Sequence, residues 1–140
     1  MYILDTDTLT HLQKKNQNVL EKLERTEKSH LVGVTIVTKA EVLRGRIEFL
    51  LKAENADLLE RAQRFLLESE SLLEQIPTIG FDKDSLAKFE ELRQNSKFRK
   101  IGRADLLIAS ICLANRAVLV TRNIKHFMQF PNLLVENWVD

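Results

Sequence analysis

The chain has 140 residues, with 21 basic and 20 acidic side chains, so its formal net charge at pH 7 is only +1. Such a chain has no overall field that would attract nucleic acid or a membrane surface, and any such partner must meet a local patch. The single cysteine, Cys112, excludes an internal disulfide, and no second cysteine or histidine stands near it at zinc-ligand spacing. We expect a reducing cytoplasm as the compartment and no membrane partner, because no segment approaches about 18 uncharged apolar residues.

The first element is an apolar strand, residues 1–4, that ends in Asp5-Thr6-Asp7-Thr8. A strand has no packing reason to end in two carboxylates, whereas a helix cap or a cation site would use their oxygens. Apolar residues at helical spacing then predict one or two helices over residues 8–26, with a break at 16–18 and with Asp7 or Thr8 as the first cap.

Two further strand and helix pairs follow. The β-branched run 31–34 predicts a strand that leads into a helix, and residues 57–73 predict a second helix packed against the first as a hairpin. Residues 76–80 read as a short extended segment, and Asp82 is positioned to cap the next helix.

The last third of the chain contains its one strong charge run. Residues 93–103 carry several cations and no acid, and residues 104–114 are apolar on nearly all sides, as in a helix buried against a sheet. Short strands are predicted at 118–120 and 133–135. Strands that alternate with helices predict one α/β domain over residues 1–140, a three-layer α/β/α sandwich with a mainly parallel central sheet.

Five polar residues are predicted to meet at one edge of that sheet. Asp5 and Asp7 follow the first strand, Glu41 lies in the first turn of a later helix, and Asn123 follows the strand at 118–120. Asp105 begins a helix that runs antiparallel to that strand, so its amino end should lie at the same edge. Ligands bind at the carboxyl ends of parallel strands, and hard oxygen donors gathered there suit Mg²⁺ or Mn²⁺.

Each of these residues also has a purely structural interpretation. Thr38 and Glu41 are spaced as a helix capping box, Asp7 as a cap, Asp105 as an acid that complements a helix dipole, and Asn123 as a turn residue. Capping alone gives no reason to bring carboxylates together, since two of them about 4 Å apart repel by roughly 4 kcal/mol at an effective dielectric near 20.

The ordered set of motifs resembles the PIN-domain ribonucleases, and within them the VapC toxins of bacterial toxin–antitoxin pairs. The motifs are Leu4-Asp5-Thr6-Asp7, Thr35-x-x-Thr38-x-Ala40-Glu41-Val42-x-x-Gly45, Asp105-Leu106-x-Ile108-Ala109, and Leu119-Val120-Thr121-Arg122-Asn123-x-x-x-Phe127. The resemblance extends over nearly the whole chain.

This resemblance implies metal-dependent hydrolysis of RNA phosphodiester bonds. Asp5, Glu41 and Asp105 would hold Mg²⁺ or Mn²⁺, and Asn123 would occupy the fourth position of the catalytic group. Many members of the family carry aspartate at that fourth position, and an amide is a weaker ligand, so we expect one well-placed metal and a second only with help from substrate. Thr6, Asp7 and Thr121 are the expected supporting residues.

The resemblance also implies an antitoxin that lies in a groove near the acids and a homodimer. Candidate RNA-binding cations flank the acids: Arg44, Arg46, Arg99, Lys100 and Arg103. The three histidines, His11, His30 and His126, are expected at the surface or between helices, and Cys112 in the core.

Two other functions remain open at this point. Asp5 and Asp7, two residues apart after a strand, also resemble the nucleophile loop of haloacid-dehalogenase-like phosphatases, with Asp5 as the nucleophile, although no paired acids follow the late strand. The chain is also compatible with a PIN fold that binds without catalysing, its activity lost through Asn123.

Overall fold

The computed structural model describes residues 1–140, in which five strands alternate with seven helices. The strands are β1 (Tyr2–Leu4), β2 (Val32–Thr35), β3 (Thr78–Ile79), β4 (Val118–Val120) and β5 (Leu134–Glu136). The helices are α1 (Thr6–Gln13), α2 (Gln17–Thr26), α3 (Ile36–Leu51), α4 (Ala56–Gln75), α5 (Lys83–Arg93), α6 (Arg103–Ala114) and α7 (Ile124–Phe127). A 3-10 turn, Ser96–Phe98, lies between α5 and α6.

All five strands are parallel, in the order β3-β2-β1-β4-β5. The first strand is therefore the central one, although a chain end often forms an edge. Leu4 lies opposite Val34 on one side and Val120 on the other, so β1, β2 and β4 reach the same edge of the sheet nearly level. The residues that follow these strands are consequently neighbours.

Each face of the sheet is covered by helices because successive strand side chains point to opposite faces. Ile3 and Leu119 belong to a core that includes residues of α5 and α6. Leu4 and Val120 belong to a second core that includes residues of α1, α2, α3 and α4. The expected three-layer α/β/α arrangement is confirmed, and α3 and α4 pack as the expected hairpin. None of the seven helices has the length and hydrophobicity of a membrane-spanning segment.

Two helix caps test the sequence predictions. Asp82 caps α5 as expected, and its backbone amide donates in return to Ser85 Oγ at 2.8 Å. The expected cap of α1 is wrong, because α1 begins two residues earlier than expected and Asp5 caps it instead of Asp7 or Thr8. Asp5 therefore ends the strand and starts the helix without an intervening loop.

Two glycines should respond in opposite directions to alanine. A Cβ on Gly33 would lie 2.7 Å from the Pro77 carbonyl oxygen, so Gly33→Ala must push β2 away from the β3 segment. We expect it to lower the free energy of unfolding by about 1–3 kcal/mol. Gly45, in α3, has open space where its Cβ would stand, and Gly45→Ala should raise the same quantity by about 0.5–1 kcal/mol. Urea denaturation of the two variants checks the contrast.

Candidate functional site

Asp5 lies where the central strand becomes α1, and its carboxylate is half-buried at this edge of the sheet. Its Oδ1 accepts from the Thr8 backbone N–H at 2.8 Å, and the Thr121 side chain lies close enough to affect its pKa. Burial raises the pKa of Asp5 above its ordinary value, although the Thr121 side chain and the Thr8 N–H act in the opposite direction. No lysine, arginine or histidine forms an ion pair with it. A carboxylate so placed lacks a compensating cation.

Glu41 is joined to the same region through a threonine. Its Oε1 accepts from the Thr6 hydroxyl at 2.8 Å, which ties α3 to the first turn of α1. The predicted place of Glu41 in the first turn of its helix is wrong, and so is the capping box with Thr38. The helix starts at Ile36 after Thr35, whose side chain accepts from the Thr38 N–H at 3.0 Å, so Glu41 lies in the second turn and is free of a capping role.

Asp105 lies in the first turn of α6, as predicted, and meets a residue that the sequence did not single out. Its Oδ2 is 2.9 Å from Nε2 of His126, which is carried by the short helix α7. His126 thus lies between α7 and α6, as expected of a surface or interhelix residue, but its contact with an acid of the site is not part of that prediction. The available signal was its spacing, since His126 follows Asn123 by three residues in a helical turn directly after β4.

Asn123 and Thr121 follow β4 at the same edge. The Thr121 hydroxyl accepts from the Asn123 backbone N–H at 3.0 Å, and its side chain lies near the Asp5 carboxyl group. Asn123 occupies the cap position of α7, but its side chain makes no capping hydrogen bond. Its amide oxygen is therefore available to a ligand.

Asp7 has a different environment from the other three acids. Its side chain is half exposed, 3.6 Å from His11 Nδ1 and 4.0 Å from Arg122 Nη1. Arg122 also pairs with Asp140 at 3.1 Å. Asp7 thus faces solvent, the His11 ring and Arg122, and it is more exposed than its neighbour Asp5.

The acids do not form a closed metal cage in this structure. Nowhere do three His, Cys, Asp or Glu side chains come close enough together to hold a metal ion. Glu41 and Asp105 are hydrogen-bonded to Thr6 and His126 instead. The chemistry of the donor set nevertheless fits a hard divalent cation, because it consists of carboxylate and amide oxygens and includes Asp5, an acid without a positive partner. The ligand set Asp5, Glu41 and Asp105 stays a prediction.

Two clefts lined by cations lie beside these acids. One, of about 320 Å³ between α3 and α6, is lined by Glu41 together with Arg44 and Arg103. The other, of about 540 Å³, brings the 3-10 turn and α7 together. Its polar lining includes Lys97, Arg99, Lys100, His126 and Gln129. A larger cavity, of about 650 Å³, is lined by residues that include Ala117 and Leu134, which lie at the amino ends of β4 and β5. It is therefore at the other edge of the sheet, and its lining includes none of Asp5, Glu41 and Asp105.

Arg46 differs from the other candidate cations because helices enclose it. Its guanidinium lies 4.0 Å from the centre of the Phe65 ring, Nε donates to Ser69 Oγ at 3.0 Å, and Nη2 donates to Thr10 Oγ1 at 3.3 Å. Burial lowers the pKa of Arg46 from its usual value. This side chain therefore joins α1, α3 and α4, and its contact with RNA stays a prediction.

Cys112 is fully buried in α6, as expected. Burial raises the pKa of its thiol, and the nearby Asp5 acts in the same direction. The neutral thiol is a small core hydrophobe.

Comparisons with known proteins agree on one family. The family model for the PIN domain matches residues 2–131. Ribonuclease VapC2 of Rickettsia felis is 31% identical over 141 residues, which covers 99% of this chain and 98% of the relative.

Chains of solved VapBC structures are similar to this chain in fold. The VapBC2 structure from Rickettsia felis, bound to a DNA fragment from its promoter, has a chain with a TM-score of 0.79 and 30% identity, covering 98% of each chain. The VapBC-1 structure from nontypeable Haemophilus influenzae has a TM-score of 0.78 at 22% identity, covering 99% of this chain and 98% of that one. The second supports the fold alone.

The charge on Asp5 should destabilise the metal-free protein at neutral pH. Because its pKa is raised by folding, the free energy of unfolding falls as pH rises from about 3.8 through the raised value, and stays lower above it. Asp5→Asn removes that charge and keeps a good helix cap. We expect a higher melting temperature than wild type at pH 7 in EDTA, with the difference shrinking as the pH approaches 4.

Asp82 supplies a matched control, since it also caps a helix. Hydrogen bonds from the Ser85 backbone and side chain hold its pKa below the ordinary value, so its charge contributes stability above about pH 3.8 that is lost as the pH falls. Asp82→Asn should therefore lower the melting temperature at pH 7. If Asp5→Asn lowers the melting temperature as Asp82→Asn does, the assigned environment of Asp5 is wrong.

Proposed function

This chain belongs to the PIN-domain family, with VapC ribonucleases as relatives, and we propose that its acidic edge hydrolyses RNA phosphodiester bonds with a bound Mg²⁺ or Mn²⁺. The chain is a ribonuclease toxin of a toxin–antitoxin pair. The observation that carries the metal assignment is Asp5, a half-buried carboxylate with a raised pKa and no positive partner, at the edge where three strands end.

The proposed ligands are Asp5, Glu41 and Asp105, directly or through water, with the Asn123 amide at the fourth position. When bound, the cation supplies Lewis acidity, which lowers the pKa of a bound water and neutralises charge that develops on the phosphate. The Thr8 amide holds the Asp5 carboxylate in place, with Thr121 beside it, and Thr6 holds the carboxylate of Glu41. One metal is proposed, since Asn123 adds no charge for a second.

The cations around the acids are proposed to hold the RNA backbone. Arg44 and Arg103 line the cleft that contains Glu41, and Lys97, Arg99 and Lys100 line the cleft that contains His126. A neutral protein needs such local patches to bind a polyanion, and two of them would place phosphates on either side of the metal.

The partner of the chain is a cognate antitoxin, in keeping with its VapBC neighbours. We propose that the antitoxin offers a cation to the acidic edge, that the chain forms a homodimer, and that it acts in the cytoplasm. Family membership excludes the phosphatase alternative. The other alternative, a PIN fold that binds without catalysing, would be favoured if the next experiment detects no cleavage.

Asp5→Asn should abolish cleavage while the fold is retained. Even changes to outer-shell partners of metal ligands cost about 10–100-fold, so loss of Asp5 should lower kcat by more than roughly 100-fold. The assay is cleavage of an RNA oligonucleotide by the purified chain with Mg²⁺ or Mn²⁺. Asp82→Asn, the other helix-cap variant, should cleave as wild type. Wild-type protein that cleaves no RNA with either metal would favour the binding module.

Arg44 and Arg46 lie two residues apart on α3. We expect substitution of Arg44 to weaken RNA binding and substitution of Arg46 to lower the free energy of unfolding. Arg44→Met removes a cleft cation, so we expect a higher KM for RNA and a shallower salt dependence by about one unit of log–log slope. Arg46→Met removes two hydrogen bonds and a cation–π contact, so we expect a loss of about 2 kcal/mol in the free energy of unfolding.

The two measurements are salt-dependent cleavage kinetics and urea denaturation of both variants. Reversal of the pattern, with Arg44→Met unstable and Arg46→Met weak in RNA binding, would contradict both assignments.

A further inference from the structure

Three side chains form a directed hydrogen-bond chain that ends on Asp105. Nε2 of Gln129 lies 3.3 Å from Nδ1 of His126, and Nε2 of His126 lies 2.9 Å from Oδ2 of Asp105. His126 lies on α7 and Gln129 lies two residues beyond the end of that helix, whereas Asp105 lies on α6. The hydrogen bonds thus join the segment that follows β4 to the amino end of α6.

The direction of this chain follows from a second hydrogen bond of Gln129. Its amide nitrogen also donates to the His126 backbone oxygen at 2.9 Å, and a carbonyl oxygen only accepts. The group that faces His126 Nδ1 is therefore the amide nitrogen, which is a donor, so Nδ1 is the acceptor. The neutral ring consequently carries its proton on Nε2 and donates it to Asp105.

Only one of the two carboxylate oxygens of Asp105 is hydrogen-bonded in the protein. Oδ2 accepts from His126, while Oδ1 has no hydrogen-bond partner in the protein. The His126 and Asp105 side chains remain 26% and 39% exposed, and pairs this accessible contribute little to stability. The effect of the contact is therefore on the orientation of the carboxylate, with one oxygen held and the other open.

We infer that His126, oriented by Gln129, is a positioning residue that holds the Asp105 carboxylate for the divalent cation. This inference rests on the proposed function, since it gives Asp105 the role of a metal ligand. Metal-ligating carboxylates are commonly held by such outer hydrogen bonds, and loss of the partner typically weakens metal affinity or activity by about 10–100-fold. His126 itself touches neither metal nor the reacting phosphate in this scheme.

Two amide substitutions separate this role from a general effect of losing the ring. In His126→Gln the amide nitrogen can reach the position of Nε2 and donate to Asp105, whereas in His126→Asn the shorter amide stands near the position of Nδ1 and cannot. Gln129→Met is a second test, because it leaves His126 in place and removes the donor to Nδ1.

The primary measurement is Mn²⁺ binding to RNA-free protein by electron paramagnetic resonance. We expect His126→Asn to raise the dissociation constant by about 10-fold or more, His126→Gln to stay within about 3-fold of wild type, and Gln129→Met to fall between them. In RNA cleavage at saturating substrate, kcat should follow the same order, with KM and the melting temperature nearly unchanged.

Three results would overturn the inference. Equal Mn²⁺ affinity in the wild type, His126→Asn and His126→Gln would show that the contact has no positioning role. A change confined to KM would make His126 an RNA contact of its basic cleft. Equal losses of metal affinity in both amide variants would show that metal binding depends on the imidazole ring itself and not on a hydrogen bond to Asp105. Failure of the proposed function has a separate signature, since Asp5→Asn would then bind Mn²⁺ and cleave RNA as wild type.

Discussion

The half-buried Asp5 carboxylate is the constraint on which the rest of the site depends. It ends the central strand, caps α1 through the Thr8 amide and lies near Thr121, beyond β4. The Thr8 hydrogen bond and the nearby Thr121 side chain partly offset the loss of water around the charge, yet the pKa of Asp5 stays raised because burial outweighs them. The fold therefore keeps an acid at a place where its ionised form is costly, and a bound cation would remove that cost.

The other acids are held by neutral partners and not by cations. Thr6 donates to Glu41, and the neutral form of His126 donates to Asp105. A lysine or arginine at either place would satisfy the acid and compete with a metal. Neutral donors orient the oxygens while leaving the negative charge uncompensated, which is the electrostatic condition for binding a divalent ion.

Cations serve two separate purposes in this nearly neutral protein. Arg46 is enclosed by Phe65, Ser69 and Thr10, where it joins three helices of one layer. Arg44 and Arg103 line a cleft that also contains Glu41. Residues of the same type, two positions apart on one helix, differ because α4 packs against only one side of α3.

The sequence alone was sufficient for the α/β class, for the order of the elements from β1 to β4 and for the edge at which the acids lie, but it did not predict the short helix α7. Those properties follow from local periodicity and from the rule that parallel strands present their carboxyl ends together. Residues 118–120 were placed without error because a short β-branched run between a buried helix and a polar exit has few other interpretations.

The tertiary structure decided which side chain each polar group meets. Asp5 and not Asp7 caps α1, Glu41 lies in the second turn of α3, and His126 reaches Asp105 across 21 residues of sequence. Local pattern carries no information on such contacts, because a one-residue shift of a helix start changes every cap, and partners on different elements depend on how those elements pack. Element type is a local property of this chain, whereas the hydrogen bonds that orient its acids are properties of the assembled sheet and helices.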